Sequence, residues 1–298
     1  MPELPEVEIV CRGVADAFVG HRLTGVIRRF DRLRWPIPAD LDRLIGGGPP
    51  GRPPAELLRS VTRRSKYLLL GFDRGTLLIH LGMSGTLRRL PAATLVRPHD
   101  HVDLVFGDSV LRFNDPRRFG ALLWSPDDIA TTLTRHPLLR DLGVEPFSPA
   151  FDADLLHRAT RGRRTSIKQV LLSGLPVVGV GNIYASESLF RAAIRPTLAA
   201  GRLNRAACER LVPAVRATLA EAIDAGGSSL RDFVASSGAA GYFQLRCAVY
   251  GRGGEPCRVC ATAVRMVRQQ ARASFYCPSC QPAIGRLPSI GRRPPRIG

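Results

Sequence analysis

The chain has 298 residues, 45% of them hydrophobic, and carries a formal net charge of +18 with an isoelectric point near 11. That length allows two or three domains with substantial cores, and the composition excludes a chain that is disordered overall. Apolar runs such as Tyr67 to Phe72 are broken by charge well short of the ~20 residues a membrane span needs. The acidic start lacks the basic region of a secretory signal, so an untargeted intracellular protein is expected. Charge this far from neutral draws polyanions, which makes nucleic acid the first candidate partner. From Gly241 to the end there are ten arginines, one acid (Glu255) and no lysine. Anionic membrane is the rival, but that segment shows no basic amphipathic helix with a bulky apolar face.

Met1-Pro2-Glu3 opens the chain. Removal of the initiator methionine would expose a secondary amine beside a carboxylate. A terminal amine titrates near pH ~7.7–8.0, so part of it is free to attack a sugar or carbonyl carbon and form a Schiff base. Val7, Val10, Cys11, Val14, Ala15 and Phe18 fall on one helical stripe, with Gly20 as the stop. Pro2 therefore precedes a helix N-terminus, where the helix dipole disfavours an ammonium and favours the carboxylates of Glu3 and Glu6. By itself this is also the pattern of an ordinary helix start.

Strands are expected to follow as far as about residue 125. Leu77 to Leu81 is a short buried run, His101 to Phe106 alternates, and Gly107-Asp108 can turn it into Val110 to Phe113, which together predict an antiparallel sandwich. The glycine- and proline-rich stretch Gly46 to Pro54 reads as a loop. From Thr131 to Ser237 the pattern is helical. Val178-Gly179-Val180-Gly181-Asn182 is a turn whose backbone N–H groups could reach a phosphate at the start of a helix over Ile183 to Phe190. A further helix carries Cys208, Leu211, Val212, Val215 and Leu219 on one face, with Asn204 as cap and Pro213 as an expected kink.

Cys257-x-x-Cys260 and Cys277-x-x-Cys280, sixteen residues apart, have the spacing of a four-thiolate structural zinc site. Four thiolates leave a tetrahedral ion no open position, so one such ion should hold structure, and a redox role for the pairs is the lesser alternative. Cys11, Cys208 and Cys247 read as buried free thiols. Only Lys66 and Lys168 are lysines among 43 basic side chains. Each marks a place where a side chain able to release a proton could matter, since a guanidinium effectively cannot. The acid-free tail after Gln281 reads as disordered.

Several motifs in order make the chain resemble the bacterial formamidopyrimidine-DNA glycosylases. They are Met1-Pro-Glu-Leu-Pro-Glu-Val-Glu8, Lys66-Tyr-Leu-Leu69, His80-Leu-Gly-Met-Ser-Gly85, His99-Asp-His-Val-Asp-Leu104, Asp115-Pro-Arg-Arg-Phe-Gly120, Val178 to Glu187, and Ala271 to Tyr276 with the cysteine pairs. The resemblance implies an α+β multidomain fold. Its parts would be an N-terminal helix with an antiparallel β-sandwich (1–130), a helix–two-turn–helix DNA-binding domain (131–240), a β-hairpin zinc finger (241–281) and a basic tail (282–298). It implies excision of oxidised purines such as 8-oxoguanine from duplex DNA, and strand cleavage at the abasic site by β,δ-elimination. One structural Zn2+, no membrane partner, a monomer, and a cytoplasmic, nucleoid-associated location go with it.

Carried over by motif, Pro2 resembles the nucleophile, Glu3 the acid that assists sugar-ring opening, Lys66 the proton-transfer lysine and Arg272 the group serving the second elimination. His99, Arg117, Arg163, Lys168 and Asn182 resemble DNA contacts, with Arg163 standing where lysine is frequent. Met83, Arg117 and Phe119 resemble the wedge that fills the hole left by a flipped base. Cys257, Cys260, Cys277 and Cys280 would hold the metal. Ala239-Ala240 departs from the more polar lesion-closing loop of relatives. Two alternatives stay open, an endonuclease VIII-type enzyme for oxidised pyrimidines, against which Leu4 speaks, and a non-catalytic zinc-finger DNA-binding relative.

Overall fold

The computed structural model describes residues 2–46, 56–227 and 246–283; the Gly46–Pro54 loop beyond its first residue, Ala239-Ala240 and the tail from Ile284 lie outside them. The chain divides into two compact units, Met1–Asp141 with Gly226–Gly241, and Leu142–Ala225 with Tyr242–Gly298.

In the first unit the predicted helix forms as α1 (Leu4–Phe18), ending before Gly20 at φ +83. Its stripe is buried at Val7, Val10, Cys11, Val14 and Phe18. Burying such side chains stabilises by roughly 1.5–3 kcal/mol each, enough to fix the start of the chain in place. After α1 come β1 (Gly25–Arg28), α2 (Leu41–Gly46), β2 (Ser60–Arg64), β3 (Tyr67–Phe72), β4 (Gly75–His80), β5 (Thr86–Pro91), β6 (Asp100–Phe106), β7 (Ser109–Asn114), β8 (Ala121–Ser125) and α3 (Ile129–Arg135). The strands make two antiparallel four-stranded sheets, ordered β1-β6-β7-β5 and β2-β3-β4-β8. Leu68, Leu70, Leu77 and Ile79 of one and Leu87, Val102, Leu104, Leu111 and Phe113 of the other share a single core with α1.

The sheets are joined by two crossovers that matter for the site. Residues 81–85 lead from β4 to β5, and residues 115–120 lead from β7 to β8. Because His80 pairs with Ala121 and Thr86 with Asn114, the two crossovers are brought side by side. The predicted β6–β7 hairpin turns at Gly107-Asp108. Its alternation does not give an exposed polar face. His101 and Asp103 are buried too, because Asp103 takes both arms of the buried Arg112 guanidinium (2.8 and 2.9 Å) and His101 Nε2 bonds the Asp115 carbonyl at 2.9 Å.

The second unit holds α4 (Ala153–Thr160), α5 (Ile167–Leu172), α6 (Asn182–Arg191), α7 (Arg205–Asp224) and the hairpin β9 (Arg265–Gln269) and β10 (Arg272–Tyr276). Asn204 caps α7 by accepting from the Ala207 N–H at 2.9 Å. The 20-residue helix runs on through Pro213, whose flanking Leu211, Val212 and Val215 are buried. Tertiary burial outweighs the one missing N–H. The Cys-rich module is fastened to the helices by polar groups. Glu187 of α6 accepts from the N–H groups of Ala248, Val249 and Tyr250 at 2.8–3.0 Å, and Gln281 Nε2 donates to the Ile194 carbonyl at 2.7 Å.

Candidate functional site

In the first unit the chemistry-bearing groups gather at the start of α1. Glu3 is the N-cap, and a reciprocal capping box pairs it with Glu6: the Glu3 carboxylate accepts from the Glu6 N–H while Glu6 Oε2 accepts from the Glu3 N–H at 2.8 Å. Both carboxylates are buried, and Pro2 is half-buried directly ahead of them. The helix N-terminus favours the negative charge of these two carboxylates beside Pro2. Sequence reasoning did not pair Glu6 with Glu3, although their three-residue spacing is the signal of a capping box.

Lys66 lies in the two-residue turn between β2 and β3, after Ser65 at φ +56, and is half-buried. A chain of contacts ties this turn to α1. Glu8 accepts from Arg63 Nε at 2.7 Å, and Arg63 Nη1 donates to the Ser65 carbonyl at 2.9 Å. Desolvation by burial would raise the Glu8 carboxyl, but the hydrogen bonds and charges of Arg63 and Arg12 outweigh it and hold the carboxyl below its ordinary range.

His80 packs on Tyr67 with ring centroids 4.8 Å apart and accepts from the Gly82 N–H at Nδ1 (2.9 Å). Burial, and then the charges of Lys66 and Arg34, push its pKa down from 6.5 to about 4. The folded state thus holds the ring neutral, while the unfolded chain binds a proton below pH ~6.5. This contribution is complete above pH ~6.5 and is lost as pH falls toward ~4, on the order of 3 kcal/mol over the window. A His80→Asn variant, whose amide oxygen can still accept from Gly82, should show a flatter melting temperature between pH 6.5 and 4 than the parent, measured by thermal melts across that range. Parallel profiles would remove His80 from the acid response.

Four other expected residues lie at the paired crossovers and the loop before β6. Met83 and Phe119 are exposed to 40% and 46%, and the Arg117 guanidinium lies over the Phe119 ring, 4.8 Å from its centroid. His99 is exposed at φ +71.

In the second unit Asn182 begins α6 behind the N-cap Gly181. Its Nδ2 lies 3.4 Å from the Tyr250 hydroxyl, and its buried Oδ1 has no partner among the described residues. Turning the amide over would let Tyr250 donate to Oδ1 and free Nδ2 as a donor. Arg163 is exposed in the turn between α4 and α5, its Nε donating to the Ala159 carbonyl at 2.7 Å. Arg272 is exposed at the first position of β10, after a turn with Gln270 at φ +46 and Ala271 at φ +62. Lys168, expected as a DNA contact, lies on α5. It is fully buried, and its ammonium donates to the Ala273 carbonyl at 2.9 Å and Ser274 Oγ at 2.8 Å, which anchors the strand that carries Arg272.

The sulfurs of Cys257, Cys260, Cys277 and Cys280 all lie within 4.8 Å of one another, with closest pairs at 3.4, 3.5 and 3.9 Å. A tetrahedral zinc with bonds of ~2.3 Å sets its sulfurs about 3.8 Å apart, so the four residues fit the ion. Burial pushes the Cys277 thiol up to about 11, so a cation is needed to keep it a thiolate at neutral pH. Cys11, Cys208 and Cys247 are buried free thiols, as expected.

A helix-capped double sheet, a helical body and a four-cysteine hairpin together define an α+β multidomain protein with a zinc finger. Residues 1–122 match the formamidopyrimidine-DNA glycosylase N-terminal domain, 142–234 the formamidopyrimidine-DNA glycosylase H2TH domain, and 254–283 the zinc finger found in FPG and IleRS. The chain belongs to the formamidopyrimidine-DNA glycosylase family. Relatives of that name from Burkholderia multivorans and Cupriavidus pinatubonensis are each 57% identical, over 94% of this chain and all of theirs. The fold is also that of a Lactococcus lactis Fpg variant in complex with DNA containing Fapy-dG. That structure has a TM-score of 0.84 at 29% identity, over 95% of this chain and 100% of the other. MutM (Fpg) from Thermus thermophilus matches with a TM-score of 0.78 at 37% identity, over 94% and 98%.

Proposed function

We propose that this chain excises oxidised purines from duplex DNA and cuts the strand at the resulting abasic site, using Pro2 as its nucleophile. The observation that carries the reading is the pairing of a half-buried Pro2 with the buried Glu3 and Glu6 carboxylates at the start of a helix, within a chain of this family. Once Met1 is removed, the proline nitrogen attacks C1′, and the bond from C1′ to the damaged base breaks. Glu3 donates the proton that lets the sugar ring open at its oxygen, leaving an iminium between Pro2 and the open sugar. The iminium withdraws electrons, so a base can take the proton from C2′. Lys66 serves these proton transfers, and the 3′ and then the 5′ phosphate depart as leaving groups. Arg272 steadies a departing phosphate as a fixed cation, since a guanidinium titrates above pH ~12 and is a poor proton donor. Hydrolysis of the iminium returns the free amine.

His99, Arg117, Arg163 and Asn182 are assigned to the DNA backbone, and Lys168 to holding the Arg272 hairpin. Met83, Arg117 and Phe119 are assigned to the space a flipped base leaves. The zinc finger orders its hairpin and takes no part in bond making. Complexes of related MutM and Fpg proteins with DNA containing carbocyclic 8-oxo-G and an abasic site support the substrate class. No helix among the described residues is long and apolar enough to cross a membrane. We place the protein in the bacterial cytoplasm with the nucleoid, as a monomer, with domain limits near residues 130 and 240.

Borohydride trapping on a duplex with one 8-oxoguanine opposite cytosine, followed by mass analysis, tests the proposal. An adduct on the N-terminal peptide lacking Met1 is expected. Absence of an adduct there, with one on a thymine-glycol duplex, would move the enzyme to the pyrimidine-directed class. No adduct on either, with DNA binding intact, would leave a non-catalytic binder.

A further inference from the structure

Asp115, the residue after β7, is completely buried, and no cation is bonded to it among the described residues. A buried carboxylate is costly unless its lone pairs are filled. Here they are filled by groups from two different crossovers. Oδ1 accepts from Ser84 Oγ at 2.6 Å and from the Arg117 N–H at 3.2 Å, and Oδ2 accepts from the Gly120 N–H at 2.8 Å. Its peptide unit is equally occupied. The Asp115 N–H donates to the His99 carbonyl at 3.1 Å, and its carbonyl bonds His101 Nε2 at 2.9 Å and accepts from the Arg118 N–H at 3.2 Å.

A short turn capped by its own aspartate would need one carboxylate oxygen and the N–H two residues on. Asp115 does this for Arg117 and then reaches further, to Gly120 on the far side of Phe119 and to Ser84 beside Met83. The backbones of the two crossovers also touch. A Cβ on Gly82 would meet the Phe119 carbonyl carbon at 2.4 Å and the Gly120 nitrogen at 2.5 Å. Such closeness leaves the two turns no freedom to slide, and the shared carboxylate sets where they lock.

We propose that Asp115 is the positioning residue that holds Met83, Arg117, Phe119 and His99 in one fixed arrangement before DNA is met. The inference rests on the reading that these exposed side chains enter or grip the duplex, as apolar wedges and cations do when a base step is opened. A wedge that is ordered in advance loses nothing to ordering when it inserts, and small misplacements of a positioned group are felt strongly in rate. Asp115 touches no substrate and acts only through the residues it holds.

The test compares Asp115→Asn and Ser84→Ala with Met83→Ala and Phe119→Ala, using the full chain with zinc bound. One substrate is an 8-oxoguanine duplex with 2-aminopurine beside the lesion, whose fluorescence rises when stacking is lost. The other is a preformed abasic site in single-stranded DNA, where no base has to be moved. In Asp115→Asn an amide N–H₂ must face either the Arg117 N–H or the Gly120 N–H, which can only donate, so at least one of these bonds is broken while the volume is kept. Excision from the duplex should fall about tenfold more than cleavage of the single strand, with the fast fluorescence rise abolished. Ser84→Ala should move the same way by less. A normal rise in Asp115→Asn, with the rise abolished in Met83→Ala and Phe119→Ala, would overturn the role of Asp115 and keep the wedge. A normal rise in Met83→Ala and Phe119→Ala would remove the wedge reading, and the inference with it. Should Asp115→Asn fail to fold, Ser84→Ala decides: a wild-type rise there overturns the proposal.

Discussion

Pro2→Gly is expected to lower coupled excision and strand cleavage by at least about a hundredfold, the scale on which a group engaged in the chemical step usually counts, while lesion-DNA binding changes little. Glycine still offers an amine, so the loss must come from what proline adds. A secondary amine condensed with a sugar carbon gives an iminium that has no N–H to lose. It keeps its positive charge at every pH and remains the electron sink that both eliminations need. A primary amine gives an imine that must be protonated first, in a place where the positive end of α1 disfavours added charge. The ring also removes rotation about the N–Cα bond, which aims the nitrogen lone pair. None of this touches the fold, because the capping box is made by Glu3 and Glu6 without Pro2. Gel-shift binding, a nicking assay on the 8-oxoguanine duplex and a thermal melt separate these effects. Undiminished turnover would take Pro2 out of the mechanism, and loss of binding and melting temperature together would make it structural.

The sequence carried some of this geometry openly and hid the rest for a physical reason. The α1 stripe, the Gly20 stop, the Asn204 cap, the Gly107-Asp108 turn and the paired cysteines are all local patterns, and each appears where the spacing places it. Bonds between buried polar groups distant in sequence leave no such period. Arg112 is a charged residue within a strand until Asp103 is found nine residues back, across the hairpin. Glu187 reads as a polar residue on a helix, yet it terminates three N–H groups more than sixty residues away. Lys168 stands out in the sequence as one of two lysines, but its bonds to Ala273 and Ser274, over a hundred residues on, leave no mark there. Asp115 shows the same limit at the candidate site. Its motif could be read, but its use as a junction depends on β4 pairing with β8 and β5 with β7, which is a property of topology.

Removing the zinc should have the largest structural effect. The module's own cluster is small, with Ala248, Val249, Cys257, Val264 and Cys277 packed with Phe190 of α6, so little apolar burial holds it without the ion. Structural zinc in such modules binds with an apparent ~10–16 kcal/mol near pH 7, a large share of what holds so small a module. A Cys277→Ser variant, or the parent treated with a strong chelator, should lose its one zinc and the β9–β10 hairpin with it. Arg265, Arg268 and Arg272 are exposed on that hairpin, and unfolding it removes a fixed array of cations. For every DNA phosphate the protein no longer neutralises, the slope of log affinity against log salt falls by about 0.9. The zinc-free protein should therefore bind lesion DNA more weakly and with a shallower salt dependence, and strand cleavage should suffer beyond excision because Arg272 is displaced. Metal analysis, limited proteolysis near residue 270 and binding at several salt concentrations measure the three effects. If the hairpin stayed protease-resistant and the salt slope were unchanged without zinc, the module would be held by its bonds to Glu187, Lys168 and Gln281, and the metal would be dispensable for the fold.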